Sequence, residues 1–364
     1  MDQDLQVSDD VPTLPDVPAS VQPPEPYPKW PWLLASILII IGIGIAMSWR
    51  ITVPYYTLSP GPVYDTSDFV EVEDGFVSDQ GELFFLTVSI KEANIFEYAA
   101  GRLDERVAIR DREVIRPTGV SQEDLRRESL DAMEQSKQDA TFVALTKLGY
   151  EVTFIGTGAL VIETVPDSAA EGVLLPNDII IQMDGKTVAF RSDIIDELEG
   201  LGIGDDVTFV VERPIGDSTD EYEDENVELQ LGPHVDDPDK PMIGVLLGNN
   251  EPIIEFPVNV VIDSQNIGGP SAGLMFTLQI VDQLTEDEIT KGLRIAGTGT
   301  IRRDGTVGPI GGVRQKVYGA IDAGAYAVLI PAGNFEEALE AAGDDIQLVR
   351  VETVDDALAF LDSL

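Results

Sequence analysis

The sequence contains no cysteine and only one histidine, His234. The lack of cysteine excludes disulfides, thiol catalysis and cysteine metal sites, and a lone histidine excludes a metal centre built from several imidazoles. Basic residues are scarce too: 23 stand against 66 acidic ones, for a net charge of −43. Phosphates would be repelled by such a chain, so no nucleic-acid partner is expected. We predict no metal and no cofactor.

The chain has 364 residues, which suits two domains with attachments. Residues 1–29 are acidic and rich in proline. They have few bulky apolar groups to bury, so we expect a disordered tail.

Residues 30–49 read WPWLLASILIIIGIGIAMSW, without charge and with tryptophan at both ends. About twenty apolar residues cross a hydrocarbon core of ~30 Å, and tryptophan suits its two interfaces. The run therefore predicts an N-terminal transmembrane helix and a membrane partner. The aromatic ends argue against a buried soluble helix, and the long acidic stretch before it argues against a cleaved signal peptide. Lys29 and Arg50 leave the orientation open.

Two segments follow the apolar run. Residues 50–120 are strand-rich, with a turn at residues 59–62, and we expect them to pack on the C-terminal domain. Residues 121–148 have a helical pattern, for which Ser121 and Asp124 would form a capping box. From residue 250 to 364 strands alternate with helices, which predicts an α/β domain. The fold class is thus multidomain, combining α+β and α/β parts.

Residues 149–232 combine strands such as GALVIETV and DVTFVVER with two short helices and the turn-rich PDSAAEGVLLPNDIIIQMDGKTV. This order of strands, short helices and turns resembles a PDZ domain of the type attached to bacterial proteases. The resemblance implies that an extended peptide adds to a sheet edge while a loop holds its carboxylate. That loop is expected at Leu148, Gly149 and Tyr150, with the receiving strand running toward Phe154. A spacer domain with an empty groove is the alternative. Residues 233–249 are predicted to be a linker.

Gly185-Lys186-Thr187 ends like a phosphate-binding loop. That motif needs a glycine where this chain has Ile180, and a hairpin offers no helix N-terminus to a phosphate. We therefore interpret the segment as a turn and expect no ATP-driven step.

The segment Gly269-Pro270-Ser271-Ala272-Gly273 matches G-x-S-x-G, the nucleophile elbow of α/β-hydrolases. That fold needs an acid and then a histidine after the serine, yet no histidine follows Ser271. His234 precedes it in an acidic stretch that is a poor platform for a Ser-His-Asp triad. The remaining base is a lysine made neutral by desolvation.

Two lysines follow Ser271. Lys291 lies among acids that would keep it charged, whereas Lys316 shares an apolar helical stripe with Val313 and Val317. A lysine on such a stripe is costly unless it is used or snorkels to the rim, and periodicity leaves both open. Ser271 has its own alternative as a plain helix N-cap. Amides from Gly269 to Ala272 would receive an oxyanion.

Three runs, GGPSAGLMFTL, GTGTIRRDGTVGPIGGVRQKVYGAIDAGA and VLIPAGN, resemble the proteolytic domain of Lon proteases over about residues 250–364. The resemblance implies that Ser271 is the nucleophile, Lys316 the general base and Thr298 its support, with Gly269, Pro270 and Ala272 at the oxyanion site. Thr300 replaces a glutamate of that family. Gly268 stands where ATP-dependent members carry an acid, which puts substrate gating in doubt.

Together these features resemble the membrane-anchored, PDZ-containing Lon-like proteases of bacteria. The resemblance implies an ATP-independent serine endopeptidase acting on proteins or peptides, with its C-terminal domains outside the cytoplasm and possible homo-oligomers. An inactive membrane-tethered PDZ adaptor is the main alternative. A penicillin-binding type of Ser/Lys hydrolase is disfavoured because the sequence has no S-x-x-K.

Overall fold

The computed structural model describes residues 29–48, 51–77, 80–216, 221–234 and 237–364. The predicted disordered tail therefore lies outside the described residues, apart from Lys29. The helices are α1 Trp30–Ser48, α2 Ile95–Gly101, α3 Arg112–Ile115, α4 Gln122–Lys147, α5 Arg191–Leu198, α6 Gly273–Leu284, α7 Val313–Asp322, α8 Phe335–Ala342 and α9 Val354–Asp362.

The strands fall into two large sheets and several short pairs. In chain order they are β1 Thr52–Asp65, β2 Val70–Val72, β3 Glu82–Asn94, β4 Ala108–Asp111, β5 Thr153–Ile155, β6 Ala159–Thr164, β7 Ile179–Met183, β8 Lys186–Thr187, β9 Asp206–Pro214, β10 Tyr222–Gln230, β11 Gly232–Pro233, β12 Pro241–Met242, β13 Val245–Asn249, β14 Ile253–Glu255, β15 Val260–Ile262, β16 Arg294–Gly297, β17 Thr300–Ile301, β18 Val307–Gly308, β19 Ala327–Pro331 and β20 Gln347–Val351.

The first large sheet has the order β20-β19-β16-β3-β1-β4. The strands from β20 to β3 run parallel, and β1 is antiparallel to both of its neighbours. Alternate residues of β3 point to opposite faces, so Phe85 joins a core with α4, α6 and α9, whereas Leu86 joins a second core with α7 and α8. This sheet therefore separates two helical layers.

Strand β3 corrects the predicted domain boundary at residue 250. We expected residues 50–120 to pack on the C-terminal domain, and β3 does so by pairing directly with β16, so that the same sheet extends beyond the predicted boundary. Without β3, the strand β16 would expose an unpaired edge. The α/β unit is thus built from chain segments on both sides of the PDZ region.

Helix α1 follows the predicted apolar run. Its described side chains, from Trp30 to residue 43, are all exposed. Across the described ranges, no helix meets the length and hydropathy needed to cross a membrane. Trp49, the last residue of the predicted span, lies outside them.

The second large sheet has the order β10-β9-β7-β6-β13 and packs with α5 around a core of its own. Strand β13 corrects the predicted linker at residues 233–249, of which residues 235–236 are not described. Its apolar residues Val245 and Leu247 pack against this core, and its backbone pairs with β6. The acidic residues before β13 led us to interpret the whole segment as a linker.

Strand β13 pairs with β6 at the edge of this sheet, and β14 pairs with β5 in a separate two-stranded sheet, both antiparallel. Asn249 lies opposite Ala159 and Ile253 lies opposite Ile155, so the register is preserved across the gap between the strands. The strands by which the chain leaves the second domain therefore pair with the strands by which it enters.

Asp178 is expected to be essential for the stability of the second domain. Its fully buried carboxylate accepts hydrogen bonds from Arg213 Nε and Nη2, at 2.8 and 2.7 Å, and from the Leu175 N–H. Removing one partner of a buried pair costs about 3–5 kcal/mol. We expect Asp178→Ala to lower by that amount the free energy of opening measured by hydrogen exchange at amides of β7 and β9.

The exposed pair of Lys186 and Glu197 provides the control. Exposed pairs contribute about 0–1 kcal/mol, so Lys186→Ala should leave the same amides nearly unchanged. Equal effects of the two substitutions would contradict a special role for Asp178.

Candidate active site

Ser271 lies in a 3-10 turn, Pro270–Ala272, that leads into α6. Helix α6 is buried from Gly273 to Asp282, whereas Ser271 is half-buried. The N-cap position of α6 is Ala272 and has no side-chain cap bond, which excludes the alternative of Ser271 as a plain N-cap. The turn instead presents the hydroxyl beside the core.

Lys316 reaches this hydroxyl from α7. Its Nζ lies 2.7 Å from Oγ of Ser271 and 2.8 Å from Oγ1 of Thr298. Only 2% of Lys316 is exposed, so the amine does not snorkel to the rim. The structure therefore brings together the serine and the lysine that lie 45 positions apart in the sequence.

Burial also changes the proton affinity of this amine. Desolvation lowers the pKa of Lys316 from 10.5 to about 7. Its two contacts are hydroxyl groups, which do not restore the charged form as a carboxylate would. A substantial fraction of the amine is therefore neutral near pH 7 and able to accept a proton.

Thr298 and Gly299, which follow β16, fix the serine from the other side. The Thr298 hydroxyl donates to the Ser271 carbonyl oxygen at 3.1 Å, and the Gly299 N–H donates to the same oxygen at 2.8 Å. Since Thr298 also accepts from Lys316, one buried hydroxyl positions both groups.

The predicted oxyanion site needs correction at two positions. Pro270 has no N–H to donate, and the Gly269 N–H already donates to the Ser129 carbonyl at 2.7 Å. The amides of Ser271 and Ala272 at the start of the turn remain as candidates. Gly269 and Pro270 therefore shape the turn rather than stabilise an oxyanion.

Helix α4 contributes contacts that the sequence did not reveal. Ser136, buried on its inner face, donates from Oγ to the Pro270 carbonyl at 3.0 Å. Gly268 fits tightly beneath the same helix, since a Cβ there would lie 2.4 Å from Ser129 Oγ. A larger side chain at position 268 would therefore require Ser129 to move. In the sequence, the only signal for these contacts was the presence of polar residues on the face of α4 that the structure buries.

A cavity of about 690 Å³ opens beside Ser271 and Lys316. Apolar side chains from three elements contribute to its wall, among them Leu58, Phe85 and Met133. Residues 86–90 of β3, which follow the part of the strand that pairs with β16, also line the cavity. The cavity thus combines a reactive hydroxyl with space for an apolar side chain.

The residues predicted to hold a peptide carboxylate have another role. Gly149 has φ +82° and ends α4, with its N–H donating to Thr146 and that of Tyr150 donating to Leu145. Leu148 packs against the core around α6. The predicted receiving strand β5 pairs with β14 outside the second large sheet. Helix termination therefore explains this loop.

A groove instead lies between α5 and the edge strand β13. Its cavity measures about 500 Å³ and is lined by Ile195 and Leu198 from the helix and by Val245 and Leu247 from the strand. His234 also lines this groove. The apolar run MIGVLLG at residues 242–248 was the sequence signal that we missed.

Replacing Lys316 with methionine is expected to stabilise the fold below about pH 7. There the folded chain holds a buried charged amine whose pKa is about 7 rather than 10.5. At about 1.4 kcal/mol per pKa unit, this costs roughly 5 kcal/mol. Because the unfolded chain binds the proton more tightly, this cost falls as pH rises from about 7 to about 10. Urea unfolding of both chains should show a shrinking difference; a constant one would contradict the lowered pKa.

Comparison with known proteins matches two regions of the chain. Residues 260–361 match the Lon protease (S16) C-terminal proteolytic domain, and residues 138–231 match the PDZ domain. These matches confirm both resemblances seen in the sequence.

Individual relatives cover short parts of the chain. The Lon protease of Desulfatibacillum aliphaticivorans is 43% identical over 20% of this chain and 8% of its own length. Lon protease 1 of Sorangium cellulosum is 35% identical over 25% of this chain and 11% of its own length. The chain thus spans about a tenth of the length of these relatives.

Among solved structures, the PDZ domain of the SdrC-like protein from Listeria monocytogenes is 24% identical. The matched region covers 25% of this chain and 86% of the Listeria structure, and the TM-score is 0.21. The family matches carry the assignment: the chain contains a PDZ domain and a C-terminal proteolytic domain of the Lon protease (S16) family.

Proposed function

We propose that the chain is a serine endopeptidase with a Ser271–Lys316 dyad. The observation that carries this proposal is the buried amine 2.7 Å from a half-buried hydroxyl. A serine needs an adjacent base, and a desolvated lysine is a base near neutral pH. The match to the Lon proteolytic domain supports the same assignment.

In the proposed reaction, neutral Lys316 accepts the hydroxyl proton as Ser271 Oγ attacks the carbonyl carbon of a peptide. The amides of Ser271 and Ala272 receive the oxyanion. The lysine then donates its proton to the leaving amine, and an acyl ester remains on Ser271. Lys316 next takes a proton from a water molecule as its oxygen attacks the ester carbon. The bond between this carbon and Oγ then breaks, and Lys316 returns the proton to Oγ, which restores the serine and releases the acid product.

The proposed substrates are proteins or peptides with an apolar side chain near the scissile bond. The cavity beside the dyad supports this preference, since Leu58, Phe85 and Met133 line it. Burial of a matching side chain there contributes about 1.5–3 kcal/mol.

We further propose that cleavage proceeds without ATP. The one segment that resembles a phosphate-binding loop, Gly185-Lys186-Thr187, belongs to the hairpin of β7 and β8. Its backbone therefore lacks the helix N-terminus on which nucleotide phosphates bind.

A membrane tether through residues 30–49 remains a proposal from the sequence, as do an extracytoplasmic catalytic part and self-association. The uncharged, tryptophan-flanked run and the exposed apolar side chains of α1 support the tether. Protease accessibility of the C-terminal part in intact bacterial cells tests the orientation.

The PDZ domain is proposed to bind an extended peptide of a substrate or regulator along β13. An edge strand offers free backbone groups, and the apolar groove beside α5 accommodates alternate side chains. This placement replaces the one predicted at Leu148–Tyr150.

Dyad substitutions are expected to abolish peptide cleavage. Ser271→Ala and Lys316→Met should each lower kcat/KM for casein or a fluorogenic peptide at least about a thousandfold, since the two groups act as a unit. Because the base must be neutral, kcat/KM of the parent chain should rise with pH through an apparent pKa of about 7.

Lys291→Met provides the matched control, because Lys291 is exposed. It should retain the parent rate, and added ATP should not change that rate. Undiminished cleavage by either dyad variant would exclude the mechanism. Absence of turnover in the parent chain together with peptide binding would instead favour a PDZ adaptor.

A charge placed in the PDZ groove is expected to weaken peptide binding. Ile195 lines the groove from α5 and is 52% exposed, so Ile195→Glu should not disturb the core. We expect at least about tenfold weaker binding, by fluorescence anisotropy, of labelled peptides with free apolar C-termini. Tyr150→Glu, at the originally predicted loop, should bind normally; the opposite pattern would restore that first placement.

A further inference from the structure

A second cavity, larger than the one at the dyad, lies at the other end of α6. It measures about 850 Å³ and is bounded by the 3-10 turn Thr66–Asp68, by β2, by the start of β3 and by the last turns of α6. Neither Ser271 nor Lys316 lines it. The proposed peptidase reaction therefore leaves this cavity without a role.

The cavity is strongly acidic. Eight carboxylate side chains line it, and no lysine or arginine does so among the described residues. Only Glu82 is paired with a cation, Arg294. Asp68 and Asp74 are exposed and accept no hydrogen bond from the described residues. Such a concentration of like charge in a concave surface attracts cations.

One polar side chain at the floor of the cavity, that of Gln279, has no partner among the described residues. Gln279 is 4% exposed, lines the cavity from α6, and its side chain makes no hydrogen bond to the described part of the chain. The neighbouring Gln283 shows the contrast, because its amide bonds to the backbone of β2 at both ends. The amide of Gln279 is therefore available to hydrogen-bond a ligand that enters the cavity.

Asp282 adds a nearly buried acid to this floor. Its Oδ1 accepts the Ile289 N–H at 3.1 Å, and burial raises the pKa of its carboxyl group. A cation that enters the cavity would favour the ionised form of Asp282.

The chemistry of the rim indicates which cation fits. Phe76, Val77 and Val261 line the cavity and are at least half exposed. An apolar rim over an acidic floor matches an aliphatic stem that ends in an ammonium or guanidinium group. Within the described ranges no acidic cluster has the arrangement that holds a metal ion.

We propose that this acidic cavity binds a lysine- or arginine-rich segment of a partner polypeptide. The cationic groups meet Asp68, Asp74 and Asp282, while the stems and neighbouring apolar side chains contact the rim. The proposal is independent of the peptidase activity. Because α6 begins two residues after Ser271, the bound segment contacts the far end of the helix that follows the nucleophile.

Binding of a labelled peptide of alternating lysine and leucine tests this proposal. The full chain carries Ser271→Ala so that the probe stays intact, and fluorescence anisotropy gives its affinity. Asp68→Asn/Asp74→Asn changes two exposed side chains of the cavity and should weaken binding about tenfold. Asp282→Asn, which keeps the acceptor for Ile289, should weaken it as well.

Asp344→Asn/Asp345→Asn is the matched control. Both residues are exposed and away from the cavity, so the variant loses the same charge and should bind as tightly as the parent. Equal weakening by the two double variants would mean diffuse attraction to an acidic protein and would overturn the proposal. So would equal affinity for a peptide with glutamate in place of lysine, or displacement of the probe by spermine at lower concentrations than by unlabelled peptide.

Discussion

Removal of the Lys316 amine from water is the constraint on which the catalytic part of this chain depends. An exposed lysine would hold its proton at neutral pH and leave Ser271 a weak nucleophile. The packed stripe of α7 excludes water, so the pKa falls to about 7, and Thr298 supplies a hydrogen bond without charge. The fold pays for this arrangement in stability, because the protonated amine is costly to bury.

The nucleophile turn is held by parts of the chain that are far apart in sequence. From α4, a backbone carbonyl accepts the Gly269 N–H and the Ser136 hydroxyl donates to the Pro270 carbonyl oxygen. The residues that follow β16 donate two hydrogen bonds to the Ser271 carbonyl oxygen. The PDZ match begins within the last turns of α4, and the chain returns to the proteolytic domain through β13 and β14, which pair with β6 and β5. The helix that positions the proposed nucleophile is therefore also an attachment of the PDZ domain.

Several elements were predictable because their signals are local. The capping box of Ser121 and Asp124 forms at the start of α4, as residues three apart on one turn predict. The apolar stripe identified Lys316 as the candidate base, because a charged residue on a buried face needs a reason. The strands and helices of the last hundred residues followed from their alternating periodicity.

Non-local pairing explains what the sequence left undecided. Nothing in residues 82–94 states that β3 pairs with β16, and nothing in the loop at Gly149 separates a helix end from a carboxylate site. Strand register and edge position depend on which segments meet in space, so the proposed peptide site lies at β13 instead of at the loop around Gly149. The sequence by itself determined the chemistry available, since only a lysine was left to serve Ser271. Only the packed structure decided that Lys316 is buried beside Ser271 instead of snorkelling to the rim, because desolvation is a property of the packed environment rather than of the residue.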